Sequence, residues 1–351
     1  MDGPYAREIT VAITAVQNAV QISSRVLAAK DKGVVEKEDQ TPVTVADLAI
    51  QALLTASIHA SFPDDSFVGE ESSKALRASP SLLEAVWALL QEVRESGACV
   101  PASREQLCDM LDWCGNGEPS SGRFWVFDPI DGTKAFIRGQ NYAINVCLMS
   151  GGKQAMSCVG IPMLSPTHTG PINNDTTDSE GSIMIATLGG GVYIRPLAGS
   201  PDLPPRRLPR RTADASTRLT AVTCVEGTDS AVPGLNTKVA ARLGITYPGN
   251  DLLAWVLRWA VCGLGAADCT VWVYRKRERR GKIWDHAGAI LLFEEAGGKV
   301  SDVHGRPIDF MAGRTMTGNF GFVGALEGVH GHVLATVQDI VKEEGLLDLL
   351  Q

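Results

Sequence analysis

"RFWVFDPIDGTKAF", residues 123–136, decides how this chain is read. An apolar run, 124–127, stops at Asp128; Pro129 follows, then Asp131, Gly132 and Thr133. The run predicts a strand ending at Asp128, where Pro129 takes the backbone out of its sheet. Asp131 falls in the turn. Gly132 permits a tight bend or the close approach of a ligand. The amides after it point outward at the start of a short helix, which favours an anion. Two carboxylates about 4 Å apart repel by about 4 kcal/mol at an effective dielectric near 20, or roughly 3 pKa units. One acid must stay protonated, find a cationic side chain, or share a metal ion. Lys134 is close in sequence, but one lysine is a poor match for the acids that accompany the pair.

Those acids are Glu70 and Glu71 in "VGEES", Asp47 in "TPVTVAD" and Asp285 in "KIWDHAG". Each has a plain structural reading. Asp47 sits three residues after Thr44, as in a helix capping box. Asp285 lies near a helix start, where the dipole favours it. The glutamates read as exposed surface. Taken together they describe a hard-cation site, because all-oxygen ligation suits Mg²⁺, and no His/Cys cluster competes for zinc. A metal beside helix-start amides is chemistry for phosphate esters.

The 351 residues suggest two domains or one large one, and the net charge of −8 argues against wholesale binding of nucleic acid. The start, "MDGPYAREIT", shows no signal peptide, and no apolar stretch is long enough for a membrane span. Eight cysteines are scattered without a CxxC pair, the usage of a reduced, cytoplasmic protein. Periodicity predicts helices over 8–30, 44–58, 104–114, 251–263, 285–296 and 329–343, with another opened by a Ser81/Glu84 capping box. "GVHGH" opens the last of these rather than binding a metal. Strands are expected over 142–149, 154–161, 183–188, 192–195, 219–225, 270–274 and 320–325. The proline- and arginine-rich segment 198–211 reads as a surface loop near a domain boundary, and the alternation beyond it as an α/β domain.

"TPVTVAD" (41–47), "FPDDSFVGEES" (62–72), "DPIDGTKAFIRG" (128–139) and "KIWDHAGAILLFEEAGGKVSD" (282–302) together resemble the lithium-sensitive, Mg²⁺-dependent phosphatase superfamily of inositol monophosphatase. "DGTKAFIRG" and "KIWDHAG" are nearer its 3′(2′),5′-bisphosphate nucleotidase branch, with Ala135 where that branch carries glycine. The resemblance implies a layered αβαβα sandwich: an N-terminal α+β domain over 1–212 and a C-terminal α/β domain over 213–351. It implies two or three Mg²⁺ held by Glu70, Asp128, Asp131, Asp285 and the Ile130 carbonyl. Thr133 and Asp47 would orient the attacking water and take its proton. The amides of Gly132 and Thr133 would bind phosphate oxygens, with Glu71 behind them. The implied reaction removes the 3′-phosphate of adenosine 3′,5′-bisphosphate or a related nucleotide. The protein would be a monomer or homodimer acting on a small phosphorylated substrate, with no membrane or nucleic-acid polymer as partner.

The substrate end departs from the family pattern. Counting from "GLGAAD" and "WD" puts Asp229 where the branch has a histidine, and Trp255 and Arg258 where it has a serine and a lysine. Trp272, or Arg275 if the strand slips, takes the place of an arginine. Arg258 is expected to serve a phosphate bidentately. Trp255 and Trp272 read either as stacking surfaces or as core. The basic run "RKRERRGK" (275–282) reads as a solvated loop or as an attractor of anionic substrate. Two other functions compete with the nucleotidase: the same chemistry on another phosphorylated metabolite, and a low-turnover metal- or nucleotide-binding regulator.

Overall fold

The structure, a computed structural model, describes residues 3–29, 32–36, 42–225 and 230–350. In chain order it runs α1 (Ala6–Ala28), β1 (Val35–Glu36), β2 (Pro42–Val43), α2 (Val45–His59), β3 (Ser66–Gly69), α3 (Lys74–Ala78), α4 (Pro80–Glu95) and α5 (Arg104–Gly115). Next come β4 (Arg123–Asp131), α6 (Thr133–Ile137), β5 (Ala143–Ser150), β6 (Lys153–Ile161), β7 (Ser182–Thr187), β8 (Gly191–Pro196) and β9 (Arg206–Arg207). The rest is β10 (Thr220–Thr223), α7 (Leu235–Leu243), β11 (Thr246–Asp251), α8 (Trp255–Leu264), β12 (Cys269–Trp272), α9 (Ile283–Glu295), β13 (Gly298–Ser301), β14 (Phe322–Leu326) and α10 (Glu327–Glu343).

Two larger sheets form. One has seven strands in the order β3-β4-β5-β6-β7-β8-β9, antiparallel except for the parallel β3/β4 pair. The other has five, in the order β11-β10-β12-β14-β13, parallel at β10 and antiparallel around β14. Helices α1 and α2 cover one face of the large sheet, and α9 covers the other with α8 beside it. Helices α7 and α10 pair on the far side of the five-stranded sheet, giving helix, sheet, helix, sheet, helix. A central layer that covers a sheet face must be apolar nearly all round. Ten of the thirteen residues of α9 are buried, all but Asp285 and two glutamates at its end. Strands β5 and β6 are buried along almost their whole length, so they read as continuous apolar runs rather than as alternation. The large sheet ends at Arg207 and the second begins at Thr220; we propose that the domain boundary lies in this connection.

Three expectations are corrected. Pro129 does not end its strand: β4 pairs Asp128 with Asn145 and Asp131 with Ala143, so the register slips and the proline sits in a bulge. Helix α4 is capped by Ser79, whose hydroxyl accepts the Leu82 amide at 3.3 Å, with Pro80 in the first turn; Ser81 is already inside. Part of the arginine-rich loop is the edge strand β9, paired through Tyr193 and Arg207. Elements α7, β11 and β13 add to the pattern read from the sequence. All eight cysteines are free thiols, seven of them buried. Among the described residues no helix is long and apolar enough to cross a membrane.

Candidate active site

The bulge in β4 does the first step of assembly. It lets both aspartates of "DPIDGT" face the gap between the large sheet and α8. Asp131 accepts the amides of Trp255 at 3.2 Å and Val256 at 2.6 Å, so it caps α8 from 124 residues away. The local cap position is Ala254, which has no side chain for the task. Gly132 closes the turn at φ +86°, and a Cβ there would lie 2.8 Å from that of Ala254. Asp285 stands in the first turn of α9. The carboxylate oxygens offered by Asp128, Asp131 and Asp285 lie within 4.8 Å of one another.

Asp47 and Thr133 meet at the edge of this cluster. Asp47 Oδ2 accepts the Thr44 amide at 2.7 Å and its hydroxyl at 2.6 Å, completing the capping box of α2. Its other oxygen, Oδ1, accepts the Thr133 hydroxyl at 3.4 Å, and the Ile130 carbonyl is a second acceptor for that hydroxyl at 3.2 Å. The capping reading and the reading that joins Asp47 to Thr133 therefore hold for the same side chain, one oxygen each. Glu70 follows β3 on a loop pinned by Gln51 of α2, which donates to the Glu71 carbonyl at 2.6 Å and accepts the Glu71 amide at 2.9 Å. Its charge reaches Asp128, Asp131 and Asp285. Glu71 itself is buried behind it.

Sequence reasoning missed Arg314. Its guanidinium donates to the Gly69 carbonyl at 2.6 Å and to those of Cys114 and Gly117 at 2.8 and 2.9 Å, and it lies over the Trp284 ring at 4.9 Å. It ties the residue before Glu70 to the chain that carries Asp285. No local motif announces it, because its partners are backbone carbonyls some 200 residues away or more. Arg314→Ala is expected to cost about 2–4 kcal/mol of stability and to weaken divalent-cation binding, read by thermal melting and by calorimetric titration. Arg314→Lys should restore little, since an ammonium cannot span three carbonyls. Unchanged cation affinity in Arg314→Ala would remove this residue from the site.

The electrostatics are those of a site built for cations. Burial pushes the Asp128 and Asp285 carboxyls well above the ordinary range, and the charges of Glu70 and Asp131 push both the same way, while a hydrogen bond with Asp128 and the Lys282 charge pull Asp285 back. Burial likewise raises Asp131 to about 7, against the pull of the two α8 amides and the Arg258 charge. Asp128 Oδ1 is buried with no hydrogen-bond partner among the described residues. A buried, unpartnered carboxylate oxygen beside two further carboxylates fits an oxygen-preferring divalent ion. A pH dependence follows. Between about pH 4 and 7 the folded, metal-free protein holds protons that the unfolded chain has released, so stability falls as pH rises through that window. Melting in a chelator is expected to occur at lower temperature at pH 8 than at pH 5, with Mg²⁺ restoring more at pH 8. A metal-free melting point that rises between pH 5 and 8 would contradict this account.

The residues expected at the substrate end are dispersed. Asp229 lies outside the described residues. Arg275 is exposed, just after the bridge between Ala231 and Tyr274. Arg258 is only 2% exposed. It donates to the Leu252 and Leu253 carbonyls at 2.8 and 2.9 Å and lies between the rings of Trp255 and Trp272, at 4.2 and 4.7 Å from their centres. A guanidinium so placed has Nε and Nη2 on backbone carbonyls and its faces on aromatic rings, while Nη1 is buried with no hydrogen-bond partner among the described residues and its charge acts on Asp131. Trp272 and Trp259 are core, while Trp255 is half-buried beside Asp131.

Comparison with known proteins bears on this geometry. A model of the inositol monophosphatase family matches residues 5–342. A protein of Emericella nidulans named 3′(2′),5′-bisphosphate nucleotidase is 33% identical over 96% of this chain and 99% of its own. One of Oryza sativa with the same name is 32% identical over 97% of this chain and 96% of its own. Among solved structures, the extragenic suppressor protein suhB of Bartonella henselae superposes with a TM-score of 0.61 at 17% identity, covering 95% of this chain and 99% of its own. The Thermotoga maritima IMPase gives 0.59 at 18% identity, covering 94% and 96%.

Proposed function

We propose, from the premise that this chain belongs to the inositol monophosphatase family, that it is a Mg²⁺-dependent 3′(2′),5′-bisphosphate nucleotidase. The family is one of metal-dependent phosphatases, and the chain is a phosphoric monoester hydrolase. The substrate class is carried by one observation: relatives bearing the nucleotidase name match it at about a third identity over nearly its whole length.

In this reading Glu70, Asp128, Asp131, Asp285 and the Ile130 carbonyl hold two or three Mg²⁺. These ions supply charge neutralisation at the phosphate and a nucleophile at neutral pH. The chain's own residues do the rest. Thr133 stands at the first position of α6, so its amide has no partner within the helix and is free for a phosphate oxygen; the Gly132 amide joins it. With the Ile130 carbonyl engaged, Asp47 Oδ1 is the acceptor left for the Thr133 hydroxyl. The Thr133 oxygen then accepts from the attacking water, and Asp47 receives the proton. Asp131 uses the α8 amides to keep its carboxylate fixed while the acids around it repel. Lithium sensitivity belongs to the same proposal.

A second reading keeps the chemistry and changes the substrate, and the buried Arg258 between two tryptophans favours it. The test is phosphate release, with and without Mg²⁺, from adenosine 3′,5′-bisphosphate, adenosine 2′-monophosphate, inositol phosphates and other phosphorylated metabolites. Preference for the bisphosphate is expected. Faster turnover of an unrelated phosphate ester selects the second reading, and saturable binding without phosphate release selects a regulator.

A further inference from the structure

The run "RKRERRGK", residues 275–282, joins β12 to α9 and takes no part in the mechanism above. It lines two adjoining cavities. The nearer, about 390 Å³, is walled by Glu278, Arg279, Arg280, Lys282, Thr315 and Thr317. The farther, about 110 Å³, adds Arg277, His304, Arg306 and Asn319, and shares Arg280 and Thr317 with the first. Cations therefore line a groove of two cavities that share a wall, with Glu278 as the single acid in their lining, on a chain whose net charge is −8.

Both walls are shaped in advance. Arg280 is half-buried: its guanidinium donates to the Arg277 and Arg279 carbonyls and lies 5.6 Å from the centre of the Phe320 ring. Opposite, buried Asp302 accepts the amides of His304 and Arg306 at 3.0 and 2.9 Å, and Asn319 donates to the Pro307 carbonyl at 2.9 Å. These contacts use backbone groups and leave the side chains of His304 and Arg306 for the groove. Among the described residues no carboxylate forms an ion pair with Arg279, Arg280 or Arg306, and Lys282 acts on the Asp285 carboxyl.

The groove is tied to the acidic cluster through Lys282, which lines the nearer cavity and whose charge acts on Asp285. Lys282 caps α9, and its carbonyl accepts the amide of Asp285 at 3.1 Å. Helix α8 offers Arg258, which is buried with Nε and Nη2 held by backbone carbonyls. The positive charge nearest Asp285 in sequence is that of half-buried Lys282, in the wall of the groove.

We propose that this groove holds a second anionic group of the substrate, a phosphate or sulfate that is not hydrolysed, with Arg279, Arg280 and Lys282 as its partners. The proposal rests on the bisphosphate reading above. It places the recognition of that group on the loop before α9 rather than on α8, and Arg306 with His304 extend the attracting field outward.

The test compares the wild type with Arg279→Gln/Arg280→Gln on adenosine 3′,5′-bisphosphate and on adenosine 2′-monophosphate. The ratio of KM for the bisphosphate to KM for the monophosphate is expected to rise about tenfold, equal to about 1.4 kcal/mol, with kcat on the bisphosphate retained. Because Arg280 packs on Phe320, Arg279→Gln alone, at an exposed position, should move the ratio the same way by about threefold. An unchanged ratio in both variants overturns the proposal while the nucleotidase activity stands. So does an unchanged ratio with relief of inhibition by inorganic phosphate, which would assign the groove to free phosphate. If the wild type turns over no bisphosphate, the functional reading fails by itself. Calorimetric titration of the Mg²⁺-loaded protein with the bisphosphate then decides: tenfold weaker binding in the double variant keeps the groove, and equal binding removes it.

Discussion

Asp128→Asn is expected to lower phosphate release by about a thousandfold or more, about 4 kcal/mol of barrier, while the metal-free protein becomes more stable at pH 8. The two effects have one cause. Asp128 is buried, its Oδ1 has no partner among the described residues, and Glu70, Asp131 and Asp285 press on it with like charge. Holding an ionised carboxylate there without a cation costs free energy. Each tenfold rise that the site imposes on its proton affinity is worth about 1.4 kcal/mol at a pH above the shifted value. Asparagine keeps the shape, removes the charge and forfeits the cation. Activity should therefore vanish, Mg²⁺ should no longer raise the melting temperature as it does in the wild type, and the melting temperature in a chelator should rise. Loss of stability in the chelator, with activity retained, would show that the acidic cluster is held by something other than a bound cation.

Much of this was legible in the sequence, and the limits have physical reasons. The helix starting after Thr44 could be read because a capping box is local, its parts three residues apart. The joining of Asp128, Asp131 and Asp285 is not local. It was legible because like charges at those spacings need an explanation, and because the surrounding motifs carry a resemblance. The Pro129 bulge was misread as a strand end, since proline on an isolated strand gives no sign that pairing resumes two residues later. Asp131 as the cap of α8, and Arg314 as the clamp on the loop before Glu70, had no sequence signal at all. In both the acceptor or donor is backbone, and any residue supplies that. Arg258 shows the converse: an arginine at a position expected to face substrate is buried, because two tryptophans and two carbonyls enclose it.

Asp47 offers the sharper test of mechanism, because its two oxygens have separate tasks. Asp47→Ala removes both. Loss of the contacts to Thr44 should cost about 1–2 kcal/mol of stability, and loss of the acceptor for Thr133 should cost about 10²–10⁴-fold in kcat. Asp47→Asn keeps a carbonyl oxygen for the Thr44 amide but cannot take a proton, so it should recover most of the stability and little of the rate. Thr133→Val removes the hydroxyl at nearly constant shape and leaves the capping box intact. It should match the rate loss with little change in melting temperature. The decisive measurement combines them. If Asp47 acts on the water through Thr133, the two form one unit, and Asp47→Asn with Thr133→Val should be scarcely slower than Thr133→Val alone. If the two losses multiply instead, Asp47 and Thr133 act independently. The 3.4 Å contact between them is then structural, and the proton must leave the attacking water by another route.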